Sequence, residues 1–131
     1  MATWQDVDDV VAALPATERA TAYGSRAWRV KKRMLVWERP LRRADLEALG
    51  PDAPQGDILG IRTHDVDERD ELIAALPAVF FTTPHFDGYP AVLARLEALP
   101  VDVLQHLVEA EWRRAAPKKV VAAHGADRET S

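Results

Sequence analysis

The sequence predicts an α+β domain: a mainly antiparallel, five-stranded sheet packed with helices. Three observations predict it. Apolar residues recur at helical spacing in separated stretches, short β-prone runs lie between them, and most neighbouring strands are joined as hairpins rather than through crossovers. A chain of 131 residues, 47% of them hydrophobic, buries one core and is too short for two ordinary domains. Residues 1–121 therefore read as one domain, and 122–131 as a mobile C-terminal tail.

Each element has its own warrant. Thr3 and Asp6 form a capping pair before Val7, Val10, Val11 and Leu14, which repeat at i, i+3, i+4, i+7 until Pro15 stops the helix. Tyr23-Gly24-Ser25 reads as a turn. Ala27 to Val30 and Met34 to Trp37 are strands joined by Lys31-Lys32-Arg33, a hairpin turn without the usual Gly or Asn. After Pro40, a short helix from Arg43 to Leu49 closes at Gly50. Ile58 to Thr63 is the third strand, with Gly60 inside it where a bulge or a close backbone neighbour is expected. Asp65 and Glu68 cap a helix striped by Val66, Arg69, Ile73 and Leu76 and ended by Pro77. Val79 to Thr82 and Ala91 to Leu96 are the last strands, and a helix from Val101 to Ala115 follows Pro100. The expected order is α-β-β-(short α)-β-α-β-β-α.

Composition narrows the function classes. Cysteine is absent, which removes disulfides, thiolate zinc sites and cysteine nucleophiles and fits a reducing compartment. The N-terminus is acidic and no apolar run approaches the roughly 20 residues that span a bilayer, so a cytoplasmic location with no membrane partner is expected. The net charge of −4 conceals an asymmetry. From Arg26 to Arg43 there are eight basic residues against one acid, Glu38, for a local +7, while the rest carries 9 basic and 20 acidic residues, or −11.

The segment Thr82-Thr83-Pro84-His85-Phe86-Asp87-Gly88-Tyr89-Pro90 packs two prolines, a glycine, two aromatics, a histidine and an aspartate between two strands. With its flanks, Val79 to Leu96, and with the later Trp112 and Ala116-Pro117-Lys118-Lys119, it resembles the MmcQ/YjbR family. Leu14-Pro15, Tyr23-Gly24, Trp28-Arg29-Val30 and Met34-Leu35-Val36-Trp37 agree with the family's first helix, turn and hairpin. The resemblance runs from about Asp6 to Lys119. It implies a small α+β domain related to CyaY-like and secretion-chaperone-like shapes, and the family's label implies DNA binding. Two places depart from the pattern. Ser25-Arg26 stands where the family often has His-Pro, and Lys31-Lys32-Arg33 stands where Gly followed by Lys is common.

Two constellations carry the functional expectations. The basic hairpin, interleaved with Trp28 and Trp37, suits phosphate contact and base stacking, unless the two indoles face the core and the cations form a solvated edge. His85 and Asp87 suit an acid/base pair or a metal half-site, but the second group and further ligands are missing. They read better as staples of their own loop, with Asp87 accepting backbone bonds, Gly88 at positive φ and His85 bonding a carbonyl. The acids Asp65, Asp67, Glu68, Asp70 and Glu71 lack the offsets of a calcium loop and suit a helix start.

The leading expectation is a non-enzymatic nucleic-acid-binding domain that contacts phosphates through Arg26, Arg29, Lys31, Lys32, Arg33, Arg42 and Arg43. The alternative is a protein or small-ligand interaction module using His85, Phe86, Asp87 and Tyr89. Neither a cofactor nor a metal is expected.

Overall fold

In chain order the computed structural model has α1 (Trp4–Ala12), β1 (Thr17–Ala22), β2 (Ser25–Val30), β3 (Arg33–Glu38), α2 (Arg43–Leu49), β4 (Ile58–Arg62), α3 (Val66–Ala75), β5 (Phe80–Phe81), β6 (Ala91–Arg95), α4 (Val101–Ala115) and α5 (Lys118–Thr130). It describes residues 1–22 and 24–130, and the side chains of these except 22 and 126–130. The strands form one antiparallel sheet in the order β1-β2-β3-β4-β6-β5.

The α+β class and the antiparallel pairing agree with expectation, but the sheet has six strands rather than five. The added strand is β1, whose sequence Thr-Glu-Arg-Ala-Thr-Ala has no large apolar residue to announce a sheet. It is an edge strand, and its charged side chains suit an edge that must refuse further pairing. Arg19 reaches Asp8 at 3.4 Å and Glu18 meets Arg29 across the ladder at 2.6 Å. The aperiodic stretch from Ala122, expected as a tail, continues in α5, where His124 sits edge-on to Trp112 at 5.0 Å. Tyr23 and Ser131 lie outside the described residues.

Local chemistry sets the helix starts. The Thr3 hydroxyl accepts from the Asp6 N–H at 3.2 Å while the Asp6 carboxylate accepts from the Thr3 N–H at 2.9 Å, a reciprocal box that closes α1. Asp65 accepts from the Glu68 N–H at 2.8 Å and starts α3.

The inner face of the sheet is the main core. Val7 and Val11 of α1, Trp28 and Val30 of β2, Leu59 and Ile61 of β4, and Leu104, Val108 and Trp112 of α4 are all buried in one cluster. Trp28 is 2% exposed, lies parallel to Trp4 at 6.1 Å, and donates its indole N–H to Asp8 at 2.7 Å. That removes it as a stacking platform for a base. A bulge in β3 shapes both faces. Trp28 pairs with Val36 and Arg29 with Met34, so Leu35 has no opposite residue. Leu35 and Val36 therefore both enter the core.

The outer face carries a second, smaller cluster of Ile58, Phe86, Ala91 and Leu93, against which Trp37, Leu41 and Phe81 pack. Gly60 lies here opposite Trp37. A Cβ at position 60 would stand 2.3 Å from Trp37 Cε2, so the close neighbour expected at this glycine is an indole ring rather than backbone.

Candidate functional site

The outer face opens into a cleft of about 590 Å³. One wall is the sheet, through Met34 and Trp37 of β3. The other is the loop between β5 and β6, through His85, Phe86, Asp87 and Tyr89, with Arg39, Pro40 and Arg42 at the end where β3 leaves the sheet. The volume lies in the range of pockets that enclose small ligands.

A buried residue fixes the loop wall. Phe86 ends a 3₁₀ turn, Pro84–Phe86, and is 7% exposed. Arg69 reaches it from α3, 7% exposed itself, and donates to the Phe86 carbonyl at 3.1 Å. From the other side Arg39 stacks its guanidinium on the Phe86 ring at 5.3 Å and pairs with Asp45 of α2 at 3.0 Å. Burial alone would raise the Asp45 pKa, but the Arg42 N–H at 2.9 Å and the Arg39 charge outweigh it, and the carboxyl titrates below its ordinary value.

His85 and Asp87 are not the staples. Gly88 takes the expected positive φ of 75°, yet among the described residues neither His85 nor Asp87 makes a side-chain hydrogen bond or ion pair. The loop closes through backbone bonds, Asp87 N–H to Pro84 and Tyr89 N–H to Phe86, and through Arg69. Both titratable side chains are exposed and line the cleft. His85 stands edge-on to Phe86 at 4.9 Å, and Tyr89, 43% exposed, lies 6.2 Å from the same ring.

The basic segment is less cationic in place than in sequence. Arg26 forms a forked pair with Glu38, its side chain at 3.1 Å and its N–H at 3.2 Å, and lies over the Trp4 ring at 4.4 Å. The Arg26 hydrogen bond holds the Glu38 pKa below its ordinary value. Arg29 pairs with Glu18, Arg33 with Glu111 at 3.0 Å, and Arg43 with Glu47 at 3.2 Å. Among the described residues, the side chains of Lys31, Lys32 and Arg42 alone of the seven have no carboxylate partner. Arg42 opens on the cleft, whereas Lys31 and Lys32 occupy the hairpin tip beside a separate groove.

Sequence reasoning missed the residues that hold the site. Arg69 was placed on the inward stripe of α3, and a charged residue in an apolar stripe was the available signal that something buried needs a donor. For Asp45 and Glu111 the spacing to Arg42 and Arg114 shows local partners, but not their burial, the pairing of Asp45 with Arg39 or the approach of Arg33 and Arg62 from other elements. Among the described residues no helix is long and apolar enough to cross a membrane.

Fold and cleft together define a class: a small α+β domain in which helices cover one face of a single antiparallel sheet and a loop walls a cleft on the other. No family model matches the sequence. The chain belongs to the family of Uncharacterized protein Rv2570 of Mycobacterium tuberculosis and Uncharacterized protein Mb2600 of Mycobacterium bovis, being 48% identical to each over 126 residues, 94% of this chain and 95% of theirs. Among solved structures, Deinococcus radiodurans protein DR2400, a DUF419 domain, shares the fold with a TM-score of 0.65 and 18% identity over 95% of this chain and 89% of that one.

Proposed function

We propose that this domain is a non-enzymatic binding module whose ligand is a small molecule with a flat apolar part, held in the cleft between Trp37 and the His85–Tyr89 loop. The observation that carries this reading is the cleft of about 590 Å³ with aromatic residues on both walls and unpaired polar groups, His85, Asp87 and Arg42, at its margin. Such a site orients a ligand with few polar contacts and gains affinity from the apolar surface it covers. We further infer membership of the MmcQ/YjbR family, a reading supported by the DUF419 fold likeness.

The test is an amide and indole NMR titration with a panel of planar anions and neutral heterocycles. Binding should move the Trp37 indole N–H and the Gly88 and Tyr89 amides, and Tyr89→Ala should weaken it. A panel in which no compound moves these resonances in the folded domain overturns the proposal.

Nucleic-acid binding is a second reading, favoured by the two unpaired lysines at the hairpin tip. Phosphate contact through Lys31, Lys32 and Arg42 predicts anisotropy changes with labelled oligonucleotides that fade steeply with salt and vanish in Lys31→Glu/Lys32→Glu. An unchanged affinity in that variant removes this reading.

A further inference from the structure

Glu111 is the most deeply buried acid of the chain's last amphipathic helix, 1% exposed, and three arginines converge on it. Arg114 donates from two nitrogens, at 2.7 and 3.0 Å. Arg33 approaches through Nε at 3.0 Å from the tip of β3, and Arg62 through Nε at 3.6 Å from the end of β4. One carboxylate thus faces three guanidinium groups from three separate elements. Two positive charges remain uncompensated by it, apart from a long contact of 3.9 Å between Arg114 and Glu68.

The excess charge borders a groove. Lys31, Lys32, Arg33 and Arg62 line an open hollow of about 560 Å³, and among the described residues no carboxylate lines it. Glu111 Oε1 faces the Nε edges of Arg33 and Arg62 as ion pairs without a hydrogen bond, and among the described residues the terminal N–H groups of both have no carboxylate partner. Arg62 uses one of them on the Tyr89 hydroxyl at 3.0 Å. Its Nε is buried and lacks a hydrogen-bond partner among the described residues, as does Glu111 Oε1. Guanidinium groups drawn together by one buried carboxylate present their remaining N–H donors to a tetrahedral oxyanion.

The backbone supports the same reading. Lys31 adopts φ of +55°, where an L-residue costs about 1–2 kcal/mol and glycine costs almost nothing. A cation occupies a strained position of the tip. The groove also adjoins the cleft, for Met34 and Tyr89 line both.

We propose that the groove is a phosphate subsite and that the ligand of the cleft is a phosphorylated planar compound, its ring beside Trp37 and its phosphate among Lys31, Lys32, Arg33 and Arg62. This rests on the cleft reading given above. A small phosphomonoester fits better than a nucleic-acid strand. The four cations converge on one hollow rather than forming a row, and Arg26, Arg29 and Arg43, which would extend a track, are neutralised by carboxylates.

The test is calorimetric titration of the full chain with adenosine, adenosine 5′-monophosphate, inorganic phosphate and an oligothymidylate at low salt. The monophosphate should bind at least about tenfold more tightly than adenosine, as expected for charge-assisted hydrogen bonds. Inorganic phosphate should compete with it. Lys31→Ala/Lys32→Ala, at two exposed positions, should reduce the monophosphate to the affinity of adenosine and leave adenosine unchanged. Trp37→Ala should weaken both nucleoside ligands and spare inorganic phosphate.

Equal affinities for adenosine and its monophosphate, with no binding of inorganic phosphate, overturn the subsite and leave the cleft reading standing. Monophosphate binding that matches inorganic phosphate and ignores Trp37→Ala refutes the cleft reading, and with it the joined site. No heat from inorganic phosphate or the monophosphate overturns the subsite outright. An oligothymidylate that binds far more tightly than the monophosphate, with a steep salt dependence, assigns the phosphate to a nucleic-acid strand and overturns the small-molecule form.

Discussion

Gly60→Ala is the sharpest available probe of how the outer face is built. The Cβ it introduces would lie 2.3, 2.5 and 2.7 Å from Cε2, Nε1 and Cζ2 of Trp37, well inside contact distance. Three ring atoms are involved, so rotation of a flexible tip cannot relieve the overlap. The backbone at position 60 is not in the left-handed region, so the overlap is the whole of the expected penalty. Overpacking of this kind costs about 1–3 kcal/mol. For a chain of this length that lowers the melting temperature by about 4–12 °C, at about 4 °C per kcal/mol.

The same substitution changes sign when Trp37 is removed. In a Trp37→Ala background nothing overlaps the new methyl group, and alanine in a strand is favoured over glycine by about 0.5–1 kcal/mol. Gly60→Ala should therefore destabilise the parent and stabilise the Trp37→Ala variant, a coupling of about 1.5–4 kcal/mol in a double-mutant cycle. Urea unfolding of the four proteins measures it. Equal effects of Gly60→Ala in both backgrounds, or an unmoved Trp37 indole resonance in the single variant, would refute the packing argument and with it the position of the cleft wall.

Three other outcomes follow from the same geometry. His85→Ala and Asp87→Asn should each change unfolding free energy by less than about 0.5 kcal/mol, whereas Arg69→Met, which removes the charged one of two donors to the Phe86 carbonyl and leaves it the Tyr89 N–H, should cost about 1.5–3 kcal/mol and speed amide exchange in the loop. Asp45→Ala should cost about 3–5 kcal/mol because it leaves Arg39 buried without its partner. Asp45 and Glu38 both have lowered pKa values in the folded state, so their contribution is present above the ordinary carboxylate range and is lost as pH falls through the lower folded values. The gap between parent and Asp45→Ala in urea midpoint should accordingly narrow below about pH 4. Lys31→Gly should raise stability by about 1 kcal/mol while weakening any phosphate ligand, and a loss of stability would show that the tip is not strained.

Much of the fold was legible because the local signals agreed with one another. Thr3 with Asp6 and Asp65 with Glu68 are short-range capping pairs, so sequence spacing alone exposes them. α2 and α4 begin and end where prolines and Gly50 require. β1 escaped because an edge strand contributes little to a core and so has no apolar alternation to read. The loop residues His85, Phe86, Asp87 and Tyr89 were found as a group, since a dense run of restricted residues is visible in one dimension. Their roles were not, because the donor that fixes the loop, Arg69, lies 17 residues away on α3.

Charge was the least faithful signal, and the reason is physical. A run of eight cations looks like one field in sequence, yet a β-hairpin sends successive side chains to opposite faces and an antiparallel neighbour brings new acids against them. Arg26 thus meets Glu38 on the inner face beside Trp4, Arg29 meets Glu18 across the β1 ladder, and Arg33 reaches Glu111 of α4. What survives of the run is local: Lys31 and Lys32 at a strained tip, where Arg33 shares a buried carboxylate with Arg62 of β4, and Arg42 at the aromatic cleft. A surface that retained the full +7 would attract any polyanion, whereas on the proposed reading the cations that remain around the hollow act on one phosphate together rather than along a strand.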